Sequence, residues 1–312
     1  MNKVLVWSAI TAPPTPIIDL EMPYVTILAK LEYLQPGGSV KGRIAGPLLD
    51  DMLSKGVITF STKHIVEATS GNTAVALADA ARQKGLQMTI VAVVKQGIKK
   101  NKLALLSQHG VITREVAVLP TNNPMTPVNA HLEAAYKICE EYPDSVRADQ
   151  FFNSANPLAH ENTTGKEIVR QVRNPPDAIV LGVGTGGTLM GISAAVRKAG
   201  WPSRIVLADP EGSVIAPTWR GERIAYRKSI VDGIGNDFVP PLLDFRSIDD
   251  AITVPDQLTK QTWQELFSTG FPVGFSSACS VAAATIWAKR TTASDKPRCL
   301  VIFADHGAAY IE

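Results

Sequence analysis

Apolar residues follow two alternating spacings along the 312-residue chain. Short runs rich in Val, Ile and Ala, typical of buried strands, are separated by stretches in which apolar residues recur at helical spacing. The predicted strands are residues 25–31, 64–68, 88–94, 111–116, 177–182, 205–209 and 298–304. The predicted helices include residues 72–84, 127–140, 158–172, 188–199 and 280–290. This alternation predicts an α/β fold with parallel-rich sheets covered by helices on both faces.

Composition and charge exclude several classes of protein. Hydrophobic residues make up 45% of the chain and aromatic residues only 6%, so the predicted core is mainly aliphatic. The 31 basic and 29 acidic residues are mixed along the sequence, which disfavours nucleic-acid binding. No apolar run approaches the roughly 20 residues of a membrane span. The first 16 residues reach Pro13 and Pro14 too soon for a secretory signal, so we expect mature protein there.

The cysteines and histidines give no sign of a metal site. Cys139, Cys279 and Cys299 lie far apart and form no CxxC pair, which disfavours a disulfide framework and a zinc site. A reducing, cytoplasmic location is therefore expected. The five histidines show no metal-ligand spacing, so we expect no bound metal and expect His64, His109 and His131 to be structural or surface residues. Turn-rich residues 122–127 and 173–176 interrupt the pattern, but neither stretch fixes a domain boundary.

A glycine-rich loop, GVGTGGT at residues 182–188, follows one predicted strand and precedes a helix. Ligands of parallel sheets bind at such loops, where glycines let backbone N–H groups approach an anion and the helix N-terminus favours negative charge. The loop therefore predicts a phosphate site, although a tight turn without a ligand remains an alternative. A dinucleotide site is another alternative, because the loop also fits GxGxxG and Asp209 closes the next strand.

Three further segments carry candidate chemistry. Residues 69–73 (TSGNT) lie between a strand and a helix, where they either cap the helix or hold a carboxylate. Lys41 lies in the first turn of a helix predicted to start near residue 40. A cation is disfavoured there, so Lys41 is either an exposed surface residue or an amine with the lowered pKa that Schiff-base chemistry needs. Residues 274–278, with Ser276, form a predicted turn before a helix, where the serine is either a cap or a contact to a ring nitrogen.

Taken in order, these segments resemble the cysteine synthase / cystathionine β-synthase family of fold-type II pyridoxal-phosphate enzymes. The match runs from Thr15 to the end of the chain. The motifs that carry it are LEYLQPGGSVKGR, EATSGNT, DQFFNSANPLAHENTTGKEI, GVGTGGTLMGI, DPEGS, VDGIGNDFVP and VGFSSA. The dinucleotide alternative accounts for none of the other motifs, so the resemblance favours a single cofactor phosphate at the glycine loop.

The resemblance implies a role for each matching residue. Lys41 would carry pyridoxal 5'-phosphate as a Schiff base and move the α-proton. The implied cofactor-binding residues are Lys41, Asn72 at the ring 3-hydroxyl, Gly184, Thr185, Gly186, Gly187 and Thr188 at the phosphate, and Ser276 at the pyridine nitrogen. The implied substrate-carboxylate residues are Thr69, Ser70, Gly71, Thr73 and Gln150.

The implied activity is replacement of the β-substituent of a serine-type amino acid, namely O-acetylserine, O-phosphoserine or serine, through an α-aminoacrylate. Sulfide addition to give L-cysteine is the expected reaction. Addition of homocysteine, addition of an amine in specialised metabolism, and a catalytically impaired regulator that binds the cofactor remain alternatives. The partners expected are therefore a small amino acid and a sulfide, thiol or amine nucleophile.

The resemblance also implies two αβα domains like those of tryptophan synthase β, with the cofactor between them. Residues 36–150 would form the smaller domain, and residues 1–35 plus 151–312 the larger one, in a homodimer. Gly42, where the family usually has Asp, and Ala278, where it usually has Gly, depart from the family pattern. His306 and Ala308 alter the family's C-terminal ending. The lysine-rich residues 95–102 replace its substrate-entrance loop, and predict either a solvated helix start or a contact to an acidic leaving group or nucleophile.

Overall fold

The computed structural model describes residues 14–117, 125, 129–291 and 296–310. The predictions for residues 1–13, for most of the turn-rich stretch 122–127 and for the start of the helix at 127 lie outside these residues. Within the described ranges, every helix is too short or too polar to traverse a lipid bilayer. Cys139, Cys279 and Cys299 are free thiols.

One sheet has six strands and runs through the larger part of the chain. In spatial order its strands are β1 (Ile17–Glu21), β2 (Thr26–Lys30), β10 (Arg298–Ile302), β7 (Ala178–Gly182), β8 (Arg204–Pro210) and β9 (Asp250–Val254). The edge pair β1 and β2 is antiparallel, and every other neighbouring pair is parallel. The parallel strands therefore place their carboxyl ends on one side of the sheet.

The second sheet has four parallel strands. In spatial order they are β5 (Ile112–Val116), β4 (Thr89–Lys95), β3 (His64–Ala68) and β6 (Ser145–Arg147). In register, Val66 pairs with Val91 of β4 on one side and with Arg147 of β6 on the other. All four strands come from one continuous stretch of the chain that lies between β2 and β7.

Helices cover both faces of each sheet. They are α1 (Gly42–Ser54), α2 (Asn72–Gln83), α3 (Lys100–Gln108), α4 (Ala130–Glu141), α5 (Ala155–His160), α6 (Lys166–Gln171), α7 (Gly187–Lys198), α8 (Ile215–Trp219), α9 (Asp256–Ser268) and α10 (Phe275–Arg290). Val180 packs in one core cluster with Ala282 of α10, whereas its neighbour Ile179 packs in another with Ile192 of α7. Because successive strand residues point to opposite faces, this alternation shows helix layers on both sides.

The seven strands predicted from the sequence are present, with ends that differ by at most two residues. Three strands were not predicted: β1, β6 and β9. All three lie at a sheet edge, where one side of the strand is unpaired. In β1 and β6, the side chains are only partly buried or exposed, so the apolar pattern is weak. β6 is also only three residues long.

Two helix predictions were wrong in their bounds. The helix predicted at 158–172 is α5, a π-helical turn at Glu161–Gly165 and α6. Thr163 Oγ1 donates to Ala159 O at 2.7 Å within this turn, and such hydroxyl contacts compete with the helical pattern. The helix predicted at 280–290 begins earlier, at Phe275, so Ser276 lies in its first turn and not in a preceding loop.

Candidate functional site

A cleft lies beside the carboxyl ends of β7 and β10, where the starts of α1, α2, α7 and α10 approach one another. Seven of the eight residues predicted for a cofactor line it: Lys41, Asn72, Gly184, Thr185, Gly186, Thr188 and Ser276. The eighth, Gly187, lies in the same loop and is buried against Asn156, which leaves no space for a side chain. The fold thus gathers segments that are widely separated in the sequence.

Lys41 is the residue directly before α1 and is partly buried. Its backbone N donates to Ser39 Oγ at 3.4 Å, and the preceding Val40 N donates to Ala304 O at 2.7 Å. Burial lowers the pKa of the Lys41 amine, and the negative charge of Asp305 partly opposes this effect. The surface-lysine alternative is therefore wrong, because Lys41 is partly buried and lines the cleft.

Gly42 is the first residue of α1 and packs closely against the tight turn that precedes this helix. A Cβ at this position would lie 2.7 Å from Pro36 O and 3.1 Å from Gln35 Cβ. The nearer of these atoms, Pro36 O, belongs to the backbone, so the turn would have to shift to accommodate any side chain at position 42. A side chain in place of Gly42 is therefore disfavoured in this turn.

In the loop between β7 and α7, the glycine positions have no space for a side chain. A Cβ at Gly184 would collide with Gly233 O, and Gly186 has φ +88°. The loop leads directly into α7, whose N-terminal N–H groups are available to an anion. Two hydroxyls flank it: Thr185 Oγ1 accepts from Asn156 Nδ2 at 2.9 Å, and Thr188 Oγ1 lies 3.2 Å from His160 Nε2. The glycines, the helix N-terminus and the two hydroxyls together form a site that fits a phosphate group.

His160 lies behind the loop and is a neutral group. Its second ring nitrogen, Nδ1, lies 3.0 Å from Thr164 Oγ1, so both nitrogens face hydroxyls. Burial lowers its pKa to about 3, with the positive charges of Lys41 and Arg43 adding to the effect. Sequence reasoning gave His160 no role, because a single histidine within a helix carries no signal of its own.

The residues predicted to hold a substrate carboxylate lie beside the cleft and not on its lining. Thr73 Oγ1 donates to Gln150 Oε1 at 2.8 Å, and Gln150 Nε2 donates to Ala68 O at 2.9 Å. Thr69 Oγ1 accepts from Gly71 N at 3.0 Å. Ser70 is exposed, whereas Thr69, Thr73 and Gln150 are buried. The structure therefore brings this group together, with several of its polar atoms bonded to one another.

Two residues that line the cleft were not assigned a role from the sequence. Asp305 lines the cleft, and its Oδ2 accepts from Asn72 Nδ2 at 3.0 Å and from Tyr310 Oη at 2.8 Å. Asp232 also lines the cleft, and its Oδ2 accepts from Lys102 Nζ at 3.1 Å. The solvated alternative for the lysine-rich stretch was wrong for Lys102, which is 3% exposed and paired within the protein.

Asp209 contradicts the dinucleotide alternative. Its side chain is fully buried, and its Oδ2 accepts from Ala216 N at 2.8 Å at the start of α8. A carboxylate enclosed in this way cannot reach a ribose in the cleft. Over the described part of the chain, no group of three His, Cys, Asp or Glu side chains is placed to hold a metal ion.

Comparisons with known proteins agree with this geometry. Residues 10–305 match the family described as pyridoxal-phosphate dependent enzyme. Cystathionine beta-synthase from Apis mellifera is 34% identical over 281 residues, which cover 89% of this chain and 54% of the bee protein. The chain thus spans about half the length of the cystathionine β-synthases that it matches.

Two further relatives match over most of their own length. N-(2-amino-2-carboxyethyl)-L-glutamate synthase from Cupriavidus metallidurans is 33% identical over 305 residues, covering 96% of this chain and 86% of that protein. The crystal structure of O-acetylserine dependent cystathionine beta-synthase from Helicobacter pylori superimposes with a TM-score of 0.82 at 29% identity, covering 96% and 94% of the two chains. These matches confirm the fold class and the resemblance seen in the motifs. The chain belongs to the family of pyridoxal-phosphate dependent enzymes.

Proposed function

We propose that this chain catalyses pyridoxal-phosphate-dependent β-replacement on a serine-type amino acid. The observation that carries the proposal is the meeting of Lys41 and the glycine loop in one cleft. Lys41 is an amine whose pKa is lowered by burial, and the loop ends at a helix N-terminus suited to a phosphate. An amine and a phosphate site in one cleft suit a ligand that carries both an aldehyde and a phosphate.

Different residues of the cleft would hold different parts of the cofactor. The glycine loop, with the hydroxyls of Thr185 and Thr188, would bind its phosphate, and Asn72 and Ser276 would contact its ring. Pyridoxal phosphate, when bound, supplies an electron sink for negative charge at the substrate α-carbon. Lys41 Nζ, whose pKa is lowered by burial, would remove the α-proton and later return it.

The substrate carboxylate would bind at Thr69, Ser70, Gly71, Thr73 and Gln150. In the structure, the Thr73 hydroxyl and the Gln150 amide are bonded to each other. Binding would therefore exchange an internal hydrogen bond for two bonds to the carboxylate, and would draw this segment toward Lys41. Movement of residues 36–150 as a small domain against residues 1–35 plus 151–312 would exclude water from the cleft. We also propose a cytoplasmic homodimer.

Sulfide is the proposed nucleophile, with L-cysteine as the product, as the sequence resemblance to cysteine synthases implies. An amine or thiol that carries a carboxylate is the second candidate. Lys99 favours this candidate. Its Nζ lies 5.6 Å from the ring centroid of Phe275, which is the first residue of α10 and directly precedes Ser276. A cation at this position would attract an acidic nucleophile toward the cleft. The Cupriavidus metallidurans relative, whose name includes a glutamate unit, also favours this candidate.

Borohydride reduction of the protein with bound pyridoxal phosphate tests the site. We expect one labelled peptide that contains Lys41, and no label in a Lys41→Ala variant that retains its fold by circular dichroism. Lys55, exposed at the end of the same helix, offers a matched control, because Lys55→Ala should be labelled like the wild type. A label at another lysine, or a protein that binds no pyridoxal phosphate, would contradict the proposal.

The nucleophile is tested by a panel of reactions. O-acetylserine, O-phosphoserine and serine are added separately to the holoenzyme, and the change in cofactor absorbance identifies the amino acid that loses its β-substituent. That amino acid is then combined with sulfide, homocysteine, glutamate and small amines. Fastest turnover with sulfide supports cysteine synthesis. Turnover that is fastest with glutamate, and that falls in Lys99→Met, supports the second candidate.

A further inference from the structure

Asp305 lies between the segments that carry Lys41 and Ser276. It forms an isolated antiparallel bridge with Ser39, two residues before Lys41. On its other side, Gly274 N donates to Asp305 O at 3.0 Å, two residues before Ser276. The backbone at this position is therefore fixed to both walls of the cleft, and its side chain is only 6% exposed.

The two carboxylate oxygens of Asp305 differ in their surroundings. Oδ2 accepts hydrogen bonds from Asn72 and from Tyr310. Oδ1 is buried and has no hydrogen-bond partner among the residues that the structure describes. A Cβ at Gly274 would collide with Oδ1, so the glycine leaves space for this carboxylate. The negative charge also raises the pKa of Lys41 against the effect of burial.

Tyr310 connects Asp305 to the lysine-rich helix α3. The Nζ atoms of Lys102 and Lys99 lie 4.8 and 5.1 Å from the centroid of the Tyr310 ring, within range of a cation–π interaction. Lys102 also pairs with Asp232 on the cleft wall. Because α3 follows a strand of the four-stranded sheet and Tyr310 follows a strand of the six-stranded sheet, these contacts join the two sheet regions.

We propose that Asp305 is a positioning residue: its carboxylate orients the amide of Asn72 and places a negative charge opposite Lys41. Tyr310 holds this carboxylate through its hydroxyl, and Lys102 holds the Tyr310 ring from α3. Burial and the nearby carboxylates raise the pKa of Tyr310 well above 10, so its hydroxyl remains a donor at neutral and alkaline pH. The inference rests on the proposed function in one respect, namely that Asn72 and Lys41 contact the cofactor.

Asp305→Asn tests the proposal, because the amide keeps the shape of the side chain and removes its charge. We expect cofactor content and thermal midpoint close to the wild type. Turnover should fall about tenfold or more while the KM for the amino acid changes less than about threefold. The pH at which the absorbance of the bound cofactor changes should move to a lower value, since the charge that favours protonated Lys41 is lost. Tyr310→Phe should shift both quantities in the same direction by a smaller amount.

Asp209→Asn is the matched control. Asp209 is also buried and also has one carboxylate oxygen without a partner among the described residues, but it does not line the cleft. Its variant should retain the wild-type absorbance profile and turnover. A wild-type profile in Asp305→Asn would overturn the role of Asp305. If that variant does not fold, an unchanged profile in Tyr310→Phe would overturn it instead. A wild-type protein without bound pyridoxal phosphate would overturn the proposed function as well.

Discussion

Arg43 and Glu32 form a fully buried ion pair directly behind the catalytic lysine proposed here. Arg43 Nε and Nη2 each donate to Glu32 at 2.8 Å, and neither side chain is accessible to solvent. Arg43 Nη2 also donates to Glu167 of α6 at 2.7 Å, which in turn accepts from Lys30. This network fixes the first turn of α1 against the six-stranded sheet, and so determines where Lys41 lies.

Glu32→Gln should destabilise the protein by about 3 kcal/mol, since removal of one member of a buried pair leaves the other charge without full compensation. Urea unfolding measures the effect. Glu141→Gln is the control, because Glu141 is 54% exposed in its pair with Arg114 and such surface pairs contribute about 1 kcal/mol or less. Equal losses in the two variants would show that the buried pair does not secure α1.

Local sequence motifs predicted the parts of the site that a single segment contains. The glycine loop, Lys41 and Asn72 each lie where a strand or turn feeds a helix, and that context can be recognised without the fold. Short apolar runs also located seven strands of the two sheets, because buried parallel strands are continuously apolar. The edge strands β1 and β6 were missed because their side chains are only partly buried or exposed.

Contacts between distant segments could not be predicted. Asp305 meets Asn72 across 233 positions, and Arg43 meets Glu167 across 124. A pairing of this kind depends on how the two sheet regions are placed relative to each other in the fold. In the sequence, the residues themselves look like ordinary acidic, basic or polar residues. Lys102 shows the same limit: four nearby lysines read as a solvated segment, yet one of them is buried against Tyr310.

Gly184→Ala should weaken cofactor binding by about tenfold or more. The added Cβ would collide with the Gly233 carbonyl, and a backbone atom can move only if the loop that would hold the phosphate moves with it. Fluorescence titration of the cofactor-free protein with pyridoxal phosphate measures the dissociation constant. Gly46→Ala is the matched control, because no atom lies within 4 Å of a Cβ at that helical position. Wild-type affinity in Gly184→Ala would contradict the tight packing of this loop.

Lys102→Met should lower the free energy of unfolding by about 1–3 kcal/mol. The substitution keeps the apolar stem but removes the charge that pairs with Asp232 and contacts the Tyr310 ring. Lys100→Met, two residues earlier in the same helix at an exposed position, should change it by about 0.5 kcal/mol or less. Chemical denaturation of both variants measures the difference. Similar stabilities would indicate that Lys102 contributes no more than a surface lysine.

Glu67 should make the stability depend on pH. The residue is 2% exposed, and its Oε2 has no hydrogen-bond partner within the described ranges. Burial raises the pKa of Glu67 from its ordinary value of 4.5 to about 8, and the charge of Asp149 adds to this effect. The folded protein therefore keeps the proton at pH values where the unfolded chain has released it. Stability from this residue is fully present below about pH 4.5 and is lost as the pH rises toward about 8.

Glu67→Gln cannot ionise and should remove this dependence. Between pH 5 and 8, the free energy of unfolding of the cofactor-free wild type should fall relative to that of the variant, by at most about 1.4 kcal/mol for each pH unit. Urea unfolding at several pH values gives both curves, and ionisable groups that the two proteins share cancel in the difference. Glu140→Gln, at an exposed position of α4, should follow the wild-type curve. Parallel curves for the wild type and Glu67→Gln would show that Glu67 is ionised in the folded protein.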